Sequence, residues 1–451
     1  MVKSKKEKIE KSKRARKIWK WVIWVTVGLV LVGAIVSVLV WWNLEGSKTD
    51  LEKRGLPDRG VPVMEISLAD GLELSEIDGG SKETKYEGNE LDLYDTGMKY
   101  EFDNVEIKGR GNTTWGKLKN PYRIKFTKNV DLLELGKAKK WVLLANYFDA
   151  SYLRNDIAFM LAEMVEVPYS RRGDFVELYI DGDYRGLYYL IQQIEIAKGS
   201  VDLRNEGGLL FEVDTLHKDG ENCYMTYFGE CLVLRDKRTI KDEEDSLADD
   251  FLADLNKAEI AAKKGNYNDV EKVLDIESFV KYFLVNEFTV NPDAYTSSFY
   301  LYRNDEGKIA AGPVWDFDYS LANREWTWWT DENFFSPDED MVRRRNAFGE
   351  DDLEEDLNTS RLFYYLMETL EFQSEVKRIY KEKMFGKEES FMQAIRNKAG
   401  EIYWAAKADG GRWEKEGFEE ELMEMMGWIK KRYEHFEQVY GGDESGSSGV
   451  I

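Results

Sequence analysis

The sequence predicts an α+β fold in two parts, a β-rich first half and a mainly helical second half, carried behind an apolar N-terminal segment. Three observations predict it. Residues 21–42 are continuously apolar, residues 61–240 carry strand patterning, and residues beyond about 240 switch to apolar spacings of three and four. With 451 residues and 43% hydrophobic content the chain has ample material for a packed core.

The N-terminal arm, residues 1–20, concentrates Lys and Arg, whereas the whole chain carries a formal charge of −23. That acidity argues against nucleic acid as a partner, because a phosphate backbone is bound by clustered cations. The run WVIWVTVGLVLVGAIVSVLVWW (21–42) holds no charge and has Trp at both ends. At about 1.5 Å per residue it covers the ~30 Å hydrocarbon layer, and it is too long for the apolar region of a cleaved signal peptide. It therefore reads as a transmembrane helix. The basic flank belongs on the cytoplasmic side, so the chain is expected to be a single-pass membrane protein with an extracellular main domain.

Residues 43–60 are polar and broken by Gly and Pro, as a linker would be. The folded domain is expected over 61–440, its first part at about 61–214 and its second at about 215–440, with a disordered tail at 441–451. VPVMEISL, KYEFDNVEIKG, YRIKF, KWVLLANY and GGLLFEVD read as strands, and YIDGDYRGLYYL as a hairpin about Asp-Gly-Asp. SYLRNDIAFMLAEMV interrupts them as a helix with Leu153, Ile157, Met160, Leu161 and Met164 on one face. Helices are expected near 246–264, 276–290, 360–383, 388–408 and 415–440.

Cys223 and Cys231 flank YMTYFGE and suit either a bridged hairpin or two thiols. Two His and two Cys in the whole chain leave little for a zinc site, so any metal would be held by oxygen, as Mg, Mn or Ca are.

The segment with most chemical content is 291–318, NPDAYTSSFYLYRNDEGKIAAGPVWDFD. FYLYR and KIAAGPVW read as two strands about a turn at Asn304–Gly307. Such a hairpin returns Asp316 to the neighbourhood of Asp293. Two carboxylates at the open end of one hairpin suit phosphoryl transfer, one orienting a hydroxyl and the other holding a cation. Turn-capping roles for the same residues suit the spacing as well. Upstream, VEIKGRGNTTWGKLKNPYRIKF is strand, Gly-rich turn and strand, with Arg123, Lys125 and Thr127 facing opposite to Tyr122, Ile124 and Phe126. Glycine lets backbone N–H groups approach phosphate, and a strand Lys can neutralise it.

Taken together, GRGNTTW, PYRIKF, KAKKWVLLANYFDASYLRN, FVELYIDGDYRGLYYL, FLVNEFTVNPDAYTSSFYLY and GPVWDFD resemble the spore-coat-H (CotH) kinase family over roughly residues 62–325. The resemblance implies a protein-kinase-like bilobal fold and ATP-dependent transfer to Ser or Thr of a cell-surface protein, with Mg or Mn as metal. It places Asp293 as the catalytic aspartate and Asp316 as a metal ligand. It gives Lys125 the phosphate-anchoring role and Gly109, Arg110, Gly111 and Asn112 the nucleotide-covering turn. FEVD (211–214) would lie near the adenine-cradling hinge. Ser298 stands where a second metal ligand is expected, Asp318 is a further metal candidate, and Gln192 replaces an expected Glu partner of the lysine. The alternative is a catalytically weak or inactive kinase-fold adhesion protein that recognises polysaccharide through its aromatics; those of 324–335 suit sugar stacking or a membrane surface, and suit packing between the lobes better. A hydrolase using Asp316 and Asp318 is a third reading.

Overall fold

The computed structural model describes residues 49–203, 207–214, 222–238, 244–295, 297–323 and 361–442. The basic arm, the predicted span 21–42, the aromatic segment 324–335 and most of the predicted tail lie outside these residues. Among the described residues no helix is long and apolar enough to cross a membrane. The chain divides into two compact units, Met1–Asp58 with Thr96–Lys99, and Arg59–Asp95 with Tyr100–Ile451.

In the first unit, part of the predicted linker forms a short helix, α1 (Asp50–Arg54). The Thr49 hydroxyl accepts the Glu52 N–H at 3.2 Å, and the Glu52 carboxylate accepts the Thr49 N–H at 2.8 Å. This reciprocal cap satisfies two donors that helix geometry leaves unpaired. Gly55, at φ 77°, ends the turn in a left-handed conformation.

In the second unit, which holds all of the following but the first two residues of β3, seven strands close into a barrel: β1 (Val63–Ser67), β2 (Tyr86–Asp95), β3 (Met98–Gly109), β4 (Tyr122–Asp131), β5 (Lys137–Leu144), β6 (Asp174–Ile180) and β7 (Asp183–Gln192). Their order is β1-β2-β3-β4-β5-β7-β6, and the ring shuts where β1 runs parallel to β6. Closure removes the exposed edges that a sheet otherwise presents. Alternation sends Ile66, Leu93, Ile107, Ile124, Trp141 and Leu178 into the barrel core. The expected Asp-Gly turn is present, with Asp181 and Gly182 both at positive φ between β6 and β7.

β7 is buried on both faces. Tyr188 and Leu190 point into the barrel, whereas Leu187, Tyr189 and Ile191 join the larger helical core outside it. This explains why the segment reads as an almost unbroken apolar run. Between β1 and β2 lies α2 (Leu74–Gly79), and α3 (Arg154–Val165) follows β5. The sequence predicts one apolar face for α3, yet Arg154, Asn155 and Asp156 are buried along with Ile157 and Leu161.

A second sheet has the order β12-β11-β8-β10-β9, from β8 (Gly208–Val213), β9 (Cys223–Met225), β10 (Cys231–Arg238), β11 (Phe299–Arg303) and β12 (Ile309–Ala311). A disulfide joins Cys223 to Cys231 across the β9–β10 edge hairpin. The helices are α4 (Glu244–Lys263), α5 (Tyr267–Val273), α6 (Ile276–Thr289), α7 (Arg361–Met367), α8 (Leu370–Lys383), α9 (Glu388–Trp413) and α10 (Phe418–Tyr440). α6 is buried from Ser278 to Thr289 and forms the centre of the helical core. The fold is thus the mixed α+β arrangement the sequence predicts. β8 pairs with β10 and β11, so one sheet spans the predicted boundary at 214/215.

Candidate active site

The site is assembled from three connections. The first is the β3–β4 turn, whose Gly109, Arg110, Gly111 and Asn112 all line a cavity of about 290 Å³. Gly111 has φ 88°, and a Cβ there would meet the Thr114 hydroxyl at 2.2 Å. A Cβ on Gly109 would strike the Trp115 ring at 2.3 Å. Both glycines are therefore required by the way the turn folds back under Thr114 and Trp115.

The second connection leaves α6. Val290 adopts a left-handed cap, after which the Asn291 N–H donates to the Asn286 carbonyl at 3.1 Å. The Asn291 side chain then works in two directions. Its Oδ1 accepts the Asp293 N–H at 3.1 Å, and its Nδ2 donates to the Asp316 carbonyl at 3.2 Å. The third connection follows β12 and carries Asp316 and Asp318. Asp316 has φ 65°, and Asn155 at the start of α3 braces the residues beyond it. The Asn155 Oδ1 accepts the Phe317 N–H at 3.0 Å, and its Nδ2 donates to the Asp318 carboxylate. The Leu321 N–H closes the loop onto the Thr289 carbonyl at 2.8 Å.

The hairpin thus brings Asp293 and Asp316 together, 23 residues apart in sequence, as the strand pattern predicts. Asp316 is exposed, directly after Trp315, which lines the cavity. Desolvation by the surrounding protein, followed by the charge of Asp293, pushes its carboxyl up to about 7, against the attraction of Arg110. Asp318 is pushed up to about 7 by burial and then by Asp316 and Asp149, with Asn155 and Lys415 opposing. The Arg110 guanidinium lies 5.5 Å from the Trp315 ring centroid, where the ring face supports the cation.

Other expected positions fall differently. Lys125 faces outward on β4, a third exposed, and sits 3.5 Å from Glu106. The β4 cation that lines the cavity is Arg123, which also pairs with Glu106. The pleat puts both on one face, and two residues of strand carry Lys125 farther from the turn. The carboxylate partner expected at residue 192 is supplied instead by Glu106, while Gln192 donates to the Leu135 carbonyl at 2.8 Å. FEVD does not offer a hinge. Phe211, Glu212 and Val213 are paired with β10 on one side and β11 on the other, so their backbone groups are committed to the sheet. Gln193 and Ile194, just after β7, line the cavity instead, with Val142 and Tyr300.

Ser298 is buried, and its N–H donates to the Glu212 carboxylate, which Arg235 also holds. Among the described residues no group of three or more His, Cys, Asp or Glu is arranged to hold a metal ion. Asn291, Asn155 and Arg123, with Val142, Gln193, Ile194 and Tyr300 of the cavity wall, are site residues that sequence reasoning missed. The polar run Arg154-Asn155-Asp156 inside an apolar helix, and an Asn just after a helix cap, are the signals that mark two of them.

A cation-rich, glycine-edged cavity beside two converging carboxylates defines a site suited to phosphoryl transfer. The sequence profile of the family described as CotH kinase protein matches residues 105–436. The chain belongs to that family. No curated protein matches the sequence. Among solved structures it is similar to one titled "Crystal structure of A Helicobacter pylori proinflammatory kinase CtkA", at 9% identity over 70% of this chain and 94% of that one. The TM-score is 0.24, too low for that geometry to bear on this chain.

Proposed function

We propose that the protein is a membrane-anchored, outward-facing atypical protein kinase of bilobal design that transfers the γ-phosphoryl group of ATP to Ser or Thr of surface proteins. The observation that carries this reading is the coupling of Asp293 to Asp316 through Asn291 at the edge of a cationic cavity. Asp293 orients the acceptor hydroxyl and takes its proton. Arg110 and Arg123 hold phosphate oxygens, and Gln193 and Ile194 receive the base.

A divalent cation fits the donor set. Asp316 and Asp318 present hard oxygen ligands, and their mutual repulsion is relieved by a positive ion. Two carboxylates suffice for Mg or Mn, because such ions draw their remaining ligands from phosphate and water. When bound, the ion neutralises charge on the transferring group. The uncharged run 21–42 and its basic flank support an anchored, extracytoplasmic domain, and the Cys223–Cys231 bridge suits an oxidising compartment.

The placement of Ser298, with its N–H on Glu212, favours a second reading, a binding protein that has kept the fold without turnover. A thermal-shift titration of the full chain in detergent separates the two. Stabilisation by ATP with Mg or Mn supports the kinase reading, by about 2.7 kcal/mol at a hundredfold excess over Kd. A shift with polysaccharide and none with nucleotide would overturn it.

A further inference from the structure

The outer wall of the nucleotide cavity comes from a segment upstream of the family-matched region, which begins at residue 105. Lys82 and Glu83 line that cavity. The Lys82 ammonium donates to the Gly111 carbonyl at 2.6 Å and to the Asn112 Oδ1 at 2.7 Å. Glu83 pairs with Lys108, the residue before the turn, at 3.0 Å.

Lys82 is itself held in place. The Thr84 N–H donates to the Ser81 carbonyl at 2.9 Å, and the Glu83 N–H donates to the Ser81 hydroxyl at 3.2 Å. Four residues before Lys82, the Asp78 carboxylate accepts from the Tyr122 hydroxyl at 2.6 Å, from Asn120 Nδ2 at 3.2 Å and from Arg185 at 2.8 Å. Asn120 in turn accepts the Gly116 N–H at 2.9 Å. The upstream segment is therefore tied to the β3–β4 connection at both of its ends.

We propose that Lys82 is a positioning residue for nucleotide phosphate: it fixes the Gly109–Asn112 turn in the conformation that receives the triphosphate and adds its charge to that wall of the cavity. In a planar trans peptide the C=O and N–H point in opposite directions. Clamping the Gly111 carbonyl therefore fixes the Asn112 N–H, although Gly111 itself has wide conformational freedom. Without the clamp, each phosphate-binding event must first order the turn, which weakens affinity. The inference rests on the kinase reading for its ligand and on the hydrogen bonds for its geometry.

The test compares Lys82→Ala with Lys85→Ala, which removes the same charge from an exposed position three residues on, in the full-length protein. Two quantities are read: hydrogen exchange of residues 109–116 without nucleotide, and binding of ADP and ATP. Lys82→Ala is expected to speed exchange at the turn about tenfold and to raise the nucleotide Kd and KM about tenfold, with kcat at saturating ATP within about twofold of wild type. Lys85→Ala is expected to change neither. Unchanged exchange in Lys82→Ala overturns the positioning role. Equal weakening by the two variants overturns it too, because bulk charge then accounts for the effect. Faster exchange with unchanged nucleotide binding rules out the link to phosphate. A wild-type protein that takes up no nucleotide sinks the kinase reading instead, while the exchange comparison still decides whether Lys82 holds the turn.

Discussion

Asn291 donates to the main-chain carbonyl of Asp316 at 3.2 Å while its own carbonyl oxygen accepts the Asp293 N–H at 3.1 Å. One buried amide therefore sets the spacing of the two carboxylates on which the proposed chemistry depends. Asn291→Ala is expected to lower kcat by about a hundredfold, because displacing a reacting group by about 1 Å has an effect of that order. The Kd for ADP should change by less than about threefold. Equal loss of binding and kcat would show that Asn291 serves stability alone.

Metal binding should depend on pH. The carboxyls of Asp316 and Asp318 are raised to about 7, so without metal the folded state holds protons that the unfolded chain, with ordinary carboxyls near 4, has released. Their contribution to stability is therefore greatest below about pH 4, declines as pH rises, and is at its least above about pH 7. Divalent cations bind the ionised form. The Mg Kd is expected to fall about tenfold per pH unit per proton displaced below about pH 6 and to level off above about pH 7. Titration calorimetry at several pH values reads this directly, and Asp318→Asn should reduce the slope. A flat profile would remove these carboxylates from the metal site.

Arg123 and Lys125 separate two assignments for the phosphate cation. Arg123 lines the cavity, whereas Lys125 is a third exposed beside Glu106. Arg123→Ala should weaken ADP and ATP binding about ten- to hundredfold, the range expected when a charge-assisted hydrogen bond is removed. Lys125→Ala should cost less than about threefold. The reverse order would return the role to Lys125.

Arg154 ties the loop after Asp318 to two other regions. It is buried, pairs with Asp149 and with Glu421 at 2.5 Å each, and donates to the Ser320 carbonyl at 2.8 Å. Arg154→Met would leave two buried carboxylates without their cation and should destabilise by about 3–5 kcal/mol. Urea unfolding reads the loss. Adding Glu421→Gln to that variant should recover part of it, because the two residues share one network.

Much of this architecture was legible in period and turn chemistry. Alternation located every barrel strand except β2, three- and four-residue spacing located α6 and the helices after 360, and Asn304–Gly307 marked the turn that brings Asp316 back to Asp293. What could not be read were choices made by tertiary pairing. Strand patterning puts Arg123 and Lys125 on one face equally, and only the position of the β3–β4 turn decides which reaches the cavity. The family resemblance assigns FEVD to a hinge, but its place at the middle of a sheet uses up its backbone groups. The polar run around Asn155 marks it as unusual, but its partner 163 positions away and the partners of Lys82 at 29 and 30 positions leave no local trace in the sequence.

Phosphoryl transfer by the full-length protein in detergent, with γ-labelled ATP and Mg or Mn, tests the central claim most directly. Wild type should incorporate label into itself or an added Ser- and Thr-containing protein. Asp293→Ala should lose at least about a hundredfold while still binding ADP. Incorporation equal in wild type and Asp293→Ala, or absent from wild type under both metals, would contradict it.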